Sequence, residues 1–123
     1  MYKSYKTSCT ITALFNFTAI SGNLSTAPAL MGNTVVWKPA RNTMFTAHFL
    51  MRLFQEAGLP PGVINMISGS SSEIGDIVLG HPELAGIHFT GSTAVFQQLW
   101  KGVASNLQSY RSYPRIVGET GGK

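Results

Sequence analysis

Short apolar runs suited to β-strands alternate with longer segments of helical periodicity along the whole chain, and this alternation constrains the fold more than any other feature. Because the connections are short, each helical segment must cross from one strand to the next. Strands joined in this way run parallel, with right-handed crossovers. The order predicts an α/β fold, a Rossmann-like doubly wound parallel sheet with the strands Cys9–Phe15, Thr34–Trp37, Val63–Ile67, Gly86–Phe89 and Arg115–Val117.

Helical segments separate these strands. The first, Ser21–Met31, ends at a Gly32-Asn33 stop signal, and a polar stretch, Ser68–Ser72, precedes the short third one. The second and fourth have apolar residues three and four positions apart, which is typical of amphipathic helices. Their apolar stripes are Phe45, Phe49, Leu50, Leu53, Phe54 and Ala57 in the second helix, and Val95, Leu99, Val103 and Leu107 in the fourth.

The composition excludes several classes of protein. A hydrophobic content of 44% with 11% charged residues excludes a disordered tail. The net charge of +4 comes from scattered basic residues, which argues against a nucleic-acid interface. No apolar run reaches the roughly 18–20 residues that a membrane helix needs. The single cysteine, Cys9, excludes an internal disulfide and favours a reducing compartment.

Polar or glycine-rich motifs follow the predicted strands, at the edge where open parallel sheets bind their ligands. Two of them, the Gly69–Ser72 turn and the tight turn Thr90-Gly91-Ser92, open helices, and a helix N-terminus favours a phosphate. The dinucleotide fingerprint and the P-loop pattern do not occur in the sequence. Spacing alone therefore indicates a nucleotide only weakly.

Specific residues carry a stronger signal. Phe15-Asn16-Phe17, Trp37-Lys38-Pro39, Phe89-Thr90-Gly91-Ser92 and Glu119-Thr120-Gly121-Gly122-Lys123 occur in this order. Together they resemble the aldehyde dehydrogenase superfamily, over nearly all of residues 10–123. The stretch 106–123 is most similar to the pyrroline-5-carboxylate (glutamate semialdehyde) dehydrogenase branch. The resemblance implies that residues 1–123 are part of an NAD(P)-binding domain.

The resemblance also implies roles for individual residues. Glu119 matches the general base that activates the water hydrolysing a thioester, and Asn16 matches the amide that stabilises the oxyanion. The cofactor-binding positions are Phe15 and Ser92 near the pyrophosphate, Lys38 at the adenosine ribose, Thr120 and Gly121 near the nicotinamide, and Gly91. Ordinary interpretations stay open beside these: Glu119 as a solvated acid, Asn16 or Ser92 as a cap or turn residue, Lys38 as a surface strand end.

The sequence departs from the family pattern in three places. The family's nucleophilic cysteine lies downstream of the final Gly-Gly-Lys turn, and Cys9 cannot replace it because it precedes every motif. We therefore expect the chain to be an internal piece of a longer enzyme, inactive alone. Arg41 stands where the family commonly has an acidic residue that binds the ribose, so the cofactor is NAD with NADP left open. Leu14 and Thr18 occupy positions that are often proline.

The expected activity of the parent is oxidation of L-glutamate γ-semialdehyde to glutamate in proline catabolism. Its partner would be a small aldehyde substrate, and neither nucleic acid nor a membrane is expected as a partner. The parent would be a homo-oligomer. It would be located in the mitochondrial matrix if the source is eukaryotic and otherwise in the cytoplasm. The alternative is a non-catalytic nucleotide-binding or interaction module. The three histidines, His48, His81 and His88, lack metal-ligand spacing, so no metal site is predicted and all three are interpreted as structural.

Overall fold

A single sheet of five parallel strands organises the chain. The computed structural model describes residues 7–12 and 18–121. Within them the strand order is β3-β2-β1-β4-β5, and every neighbouring pair is parallel. The predicted doubly wound parallel sheet is therefore confirmed. The strands are β1 Thr7–Thr12, β2 Thr34–Lys38, β3 Ile64–Met66, β4 Leu84–Gly91 and β5 Arg115–Thr120.

Four α-helices and two short 3₁₀ turns connect the strands. Strand order reverses at β1: α1 and α2 lead outward to β2 and β3, after which α3 carries the chain back across to β4. None of the helices in the described ranges is long and apolar enough to cross a membrane. The helices are α1 Thr18–Leu30, α2 Met44–Glu56, α3 Ser71–Leu79 and α4 Thr93–Ser105, and the 3₁₀ turns are Arg41–Thr43 and Leu107–Ser109.

The sheet separates two apolar clusters. On one face, β2 and β3 pack against α1 and α2 through a cluster centred on Val35, Trp37, Ala47 and Ile64. On the other face, β4 packs against α4, with α3 and β5 at its margin. Side chains alternate between the faces of a strand, which is why Val35 and Trp37 lie in the first cluster while Val36 lines a cavity under α3. The second cluster is centred on Leu84, Ile87, Phe89, Leu99 and Val103.

One predicted turn belongs to a strand in the structure, and one strand is longer than predicted. Thr90 and Gly91 were expected in a tight turn, but they continue β4, and only Ser92 leaves the strand. Likewise Gly118 and Glu119 continue β5. The reason is mutual pairing, because Gly118 lies opposite Phe89 and Glu119 opposite Thr90. Glycine and polar residues suggest a turn locally, whereas the ladder of a neighbouring strand extends them.

The predicted stripe of α2 is only partly buried. Ala47 is fully buried and Leu50, Met51 and Phe54 pack against the sheet cluster. Three members of the predicted stripe instead face outward with large exposed fractions: Phe45 (77%), Phe49 (52%) and Leu53 (57%). In α4, Leu99 and Val103 are buried and Val95 is exposed, while Leu107, also exposed, belongs to the 3₁₀ turn that follows the helix. Each helix thus buries a narrower face than its apolar spacing indicates.

A proline in α1 creates a link between the helix and the sheet. Pro28 lies inside the last turn and has no N–H to donate to the carbonyl of Leu24, four residues earlier. The imidazole of His88, on β4, hydrogen-bonds the Leu24 backbone. Because burial disfavours the charged imidazole, the pKa of His88 is lowered, although that hydrogen bond partly opposes the shift. His88 is therefore structural, on the α1 face of the sheet.

Candidate functional site

The carboxyl ends of the parallel strands bring several predicted site residues to one edge. Lys38 ends β2, Gly91 ends β4 and Thr120 ends β5. Residue pairing across the sheet puts Lys38 level with Gly118, one residue before Glu119. Three strand spacings separate the Lys38 and Glu119 backbones, a distance of roughly 14 Å at about 4.8 Å per spacing. The edge therefore carries a cation on β2 and a carboxylate on β5, and by side-chain alternation the two leave on opposite faces of the sheet.

The start of α4 lies between these ends. Ser92 is the N-cap, with extended backbone, and its Oγ accepts a hydrogen bond from the Val95 N–H at 3.3 Å. The first N–H groups of a helix have no partners within it, and the helix dipole adds positive potential there. Gly91 directly precedes the cap and has no side chain to hinder an approaching group. This geometry can hold an anionic group such as a phosphate.

The neighbouring helix repeats the same capping arrangement. Ser70 caps α3 after β3, and its Oγ accepts from the Glu73 N–H at 3.4 Å. Gly69, just before it, has φ +149°, a conformation that L-residues rarely adopt. The expectation that two turns at this edge open helices is thus met, at Ser70 and at Ser92.

Lys38 is a buried cation at the strand end. Only 6% of its surface is exposed, and its ammonium Nζ donates to the Pro39 carbonyl at 3.4 Å. The interpretation of Lys38 as an ordinary surface residue at the end of a strand is therefore wrong. A lysine is rarely this buried, because removing an ammonium from water is costly. The position is suited to holding a donor at a defined place beside the edge.

Glu119 points to the face of the sheet that carries α1. Ile116, three residues earlier, packs in the α4-side cluster, and side chains alternate along β5. Val117 and Glu119 therefore leave on the opposite face, Val117 beside His88 and Glu119 beside Thr90. The carboxylate is exposed, so water can reach it. Thr120 pairs with Gly91, and Gly121 follows with φ +146°.

Two predicted site residues, Phe15 and Asn16, lie outside the described residues, and their roles stay predictions. Arg41 is exposed in the 3₁₀ turn that follows Pro39, near the same edge as Lys38. It is the second cation that the β2 exit contributes. Between Lys38 and Arg41, the chain has Pro39 and Ala40, both buried.

One histidine and one apolar cavity lie outside the set of predicted site residues. Residues 7–12 and 18–121 contain no group of three or more His, Cys, Asp or Glu side chains that could hold a metal ion. His81 accepts the Glu83 N–H through Nδ1 at 3.2 Å. A cavity of about 410 Å³ lies under α3, between Val36 and Leu84, and includes none of the predicted site residues.

The structure also reveals a contact that the sequence did not predict. The ring of Phe96, in the first turns of α4, lies over Gly118 and stacks on Phe89 with ring centroids 5.8 Å apart and an interplanar angle of 10°. Gly118 directly precedes Glu119. The signal available in the sequence was a glycine inside a strand, which often marks a close approach of another group.

The model of the aldehyde dehydrogenase family matches residues 7–123, which include every described strand and helix. The chain belongs to the aldehyde dehydrogenase family. Relatives that it resembles carry a more specific name: it is 54% identical over 109 residues to a delta-1-pyrroline-5-carboxylate dehydrogenase of Agaricus bisporus, covering 89% of this chain and 20% of the relative. The mitochondrial enzyme of that name from Rattus norvegicus is 51% identical over 109 residues, covering 89% of this chain and 19% of the relative.

Solved structures agree in fold as well as in sequence. The crystal structure of the delta-pyrroline-5-carboxylate dehydrogenase of Mycobacterium tuberculosis bound with NAD is 56% identical and superposes with a TM-score of 0.91. It covers 95% of this chain, which in turn spans 22% of that protein. The chain thus spans about a fifth of the length of the relatives it matches.

Proposed function

We propose that this chain forms part of the cofactor-binding domain of an NAD-dependent aldehyde dehydrogenase that oxidises L-glutamate γ-semialdehyde to glutamate. One observation carries the proposal: parallel pairing brings Lys38, the Ser92-capped helix and Glu119 to a single edge. The names of the relatives supply the substrate class. For a eukaryotic source, the mitochondrial relatives support a mitochondrial location.

The described residues fit a dinucleotide at this edge. The N-terminus of α4 favours an anionic group, and Gly91, which directly precedes the cap, has no side chain. Lys38 is buried with its ammonium close to the strand end, where it can donate to a ribose hydroxyl. The bound cofactor would accept the hydride of the aldehyde. That the M. tuberculosis relative was solved with NAD supports this choice of cofactor.

The exposed carboxylate of Glu119, next to the end of β5, supports a role in water activation. In the proposed hydrolysis, its carboxylate takes a proton from water as the water oxygen attacks the carbonyl carbon of an enzyme thioester. The C–S bond breaks, the thiolate leaves, and the carboxylic acid product is released. The exposure of Glu119 leaves a route for this water. Asn16 remains our predicted donor to the oxyanion that forms at the carbonyl.

A chimera tests this function directly. In it, residues 7–123 replace the matching segment of the M. tuberculosis relative, and NADH formation is followed with L-glutamate γ-semialdehyde. We expect turnover in the chimera. Glu119→Gln should keep a first-turnover burst of NADH and then slow sharply, by about 10²-fold or more, because general-base catalysis contributes that much.

The matched control is Glu56→Gln. Glu56 is an exposed glutamate at the end of α2, paired only loosely with Arg52 at 3.7 Å, and far from the strand ends. This variant should turn over normally. Full turnover in the Glu119→Gln chimera would show that Glu119 is not the base, and binding of NAD without any turnover in the unsubstituted chimera would favour the binding-module alternative.

Arg41 is the residue that we expect to influence the choice between NAD and NADP. A guanidinium near the ribose suits the 2′-phosphate of NADP and offers no acceptor to a ribose hydroxyl. Arg41→Asp should therefore shift the ratio of the NAD and NADP dissociation constants toward NAD by about tenfold or more, the value of one charged hydrogen bond. Calorimetric titration of the chimera with both cofactors measures this ratio. Arg52→Asp, an exposed arginine on α2, should leave it unchanged, and an unchanged ratio in Arg41→Asp would exclude contact with the ribose.

A further inference from the structure

The carboxyl end of β5, which presents Glu119, has little side-chain packing of its own. Among residues 7–12 and 18–121, β5 lies at the edge of the sheet beside β4, and all of its residues except Ile116 are exposed. An edge strand with so little side-chain burial depends on few contacts for its position. Ile116 anchors its first half in the α4-side cluster. The half that presents Glu119 needs another contact.

Phe96 provides that contact. A Cβ added at Gly118 would overlap the Cε2 and Cζ atoms of the Phe96 ring and lie 2.8 Å from Cδ2. The ring therefore occupies the space that a side chain at position 118 would fill, and it rests directly on the β5 backbone. Only glycine allows this approach, because any other residue would push either the ring or the strand away.

The ring itself is confined. It stacks in parallel on Phe89, which is 2% exposed, and meets Trp100 edge-on with centroids 6.5 Å apart. Phe89 and Gly118 are partners in the β4–β5 ladder, so the one ring covers both strands at the same level. Phe96 therefore joins α4, which Ser92 opens, to the residue directly before Glu119.

We infer that Phe96 and Gly118 are positioning residues for Glu119: the ring fixes the end of β5 so that the carboxylate stays where it can activate water. This inference rests on the proposed function. It goes beyond it by assigning a role in hydrolysis to two residues that pack against each other beneath the end of β5 and are not among the predicted site residues. A displacement of the strand end by about 1 Å is enough to cost a large factor in rate.

The test measures two steps of the reaction separately in the chimera described above. Phe96→Leu removes the ring, and Gly118→Ala inserts a methyl group into it. Both should retain the first-turnover burst of NADH while the steady-state rate falls about tenfold, because hydride transfer does not use Glu119 whereas hydrolysis does. The combined variant Phe96→Leu with Gly118→Ala should be less impaired than the two single effects together predict, since the space left by the ring accepts the new methyl group.

Val103→Ala is the matched control. Val103 is 4% exposed in the same cluster and on the same helix, but it lies about 10 Å further along the helix axis, at 1.5 Å per residue. Its loss weakens the core without touching Gly118. It should leave the ratio of burst rate to steady-state rate unchanged.

Hydrogen exchange at the Gly118–Thr120 amides supplies a readout that does not depend on the chemistry. Phe96→Leu should speed exchange there, and Val103→Ala should not speed it selectively. Unchanged exchange in Phe96→Leu, or burst and steady-state rates that fall together, would overturn the inference. If Glu119→Gln turns over normally, the proposed function of Glu119 fails and the positioning role fails with it; if Glu119→Gln blocks hydrolysis but Phe96→Leu does not, only the positioning role fails.

Discussion

At the scale of single residues, two serines with the same local geometry have different surroundings. Ser70 and Ser92 each cap a helix through an Oγ that accepts the N–H three residues later, at 3.4 and 3.3 Å. Ser70 follows β3 at the outer edge of the sheet, whereas Ser92 follows β4, next to the strand that carries Glu119. The capping role is therefore shared, and proximity to the proposed cofactor site distinguishes Ser92.

Alanine substitution separates capping from cofactor binding. Ser70→Ala and Ser92→Ala should each lower the free energy of unfolding by about 1 kcal/mol, the usual cost of losing a cap. Only Ser92→Ala should also weaken NAD binding, which titration of the chimera measures. Equal NAD affinity in the two variants would contradict the assignment of Ser92 to the cofactor site.

Elements are joined by side chains that lie far apart in the chain. Pro28 deprives the Leu24 carbonyl of its helical donor, and the His88 imidazole on β4 hydrogen-bonds that backbone instead. Leu24 is 1% exposed, so water cannot readily replace the missing donor. The hydrogen bond that α1 lacks at Pro28 is therefore replaced by one that connects the helix to β4.

A double-mutant cycle measures the energetic coupling between Pro28 and His88. His88→Leu should lower the free energy of unfolding by about 1–3 kcal/mol, because it leaves a buried carbonyl unsatisfied. In a Pro28→Ala background, residue 28 supplies its own N–H, so the same substitution should cost less. Urea denaturation of the four variants gives the coupling. Equal costs in the two backgrounds would show that His88 does not replace the missing donor.

The titration of His88 predicts how stability depends on pH. Burial lowers its pKa in the folded chain, so the unfolded chain binds a proton first as the pH falls. The free energy of unfolding should therefore decrease as the pH drops below about 6.5, the unfolded value, and level off below the folded pKa. His88→Gln keeps a donor but should abolish this part of the slope, while His48→Gln, on the exposed side of α2, should retain it. A slope unchanged by His88→Gln would exclude this residue as its source.

The whole molecule exposes apolar surface on the side of α2 that faces away from the sheet. Phe45, Phe49 and Leu53 recur every four residues, and the two rings meet edge-on with centroids 4.9 Å apart. Leu30 and Met31, at the end of α1, are more than four-fifths exposed, at 85% and 82%. An exposed apolar stripe such as the one on α2 is typical of contact sites between proteins or between parts of one protein.

This surface predicts self-association of the 123-residue chain. Sedimentation velocity should detect species larger than the monomer, and Phe45→Ser with Phe49→Ser should shift the distribution toward monomer because less apolar area is gained on contact. Arg52→Ser, an exposed polar substitution on the same helix, is the control and should not have this effect. A chain that stays monomeric at all concentrations would contradict the prediction.

The sequence by itself determined the order and type of the elements, the parallel sheet, the family and the edge at which Lys38, Ser92 and Glu119 meet. These follow from local periodicity, end signals and short motifs, and the parallel connection rule then puts every strand end on one side. The prediction of a turn at Thr90-Gly91 was wrong, and β5 extends past its predicted end at Val117, because strand pairing between β4 and β5 outweighed the local preference of glycine.

Only the tertiary structure decided which part of the α2 stripe is buried and that Lys38 is buried. It also decided that His88 hydrogen-bonds the Leu24 backbone and that the Phe96 ring packs on Gly118. Each of these depends on contact between residues from different elements. Periodicity shows that a helix has an apolar face, but the width of the covered part depends on the neighbours that pack there. The motif of Glu119 is therefore visible in the sequence. The contact of the Phe96 ring with Gly118, which holds the strand beside Glu119, forms only on folding, because Phe96 lies 23 positions before Glu119.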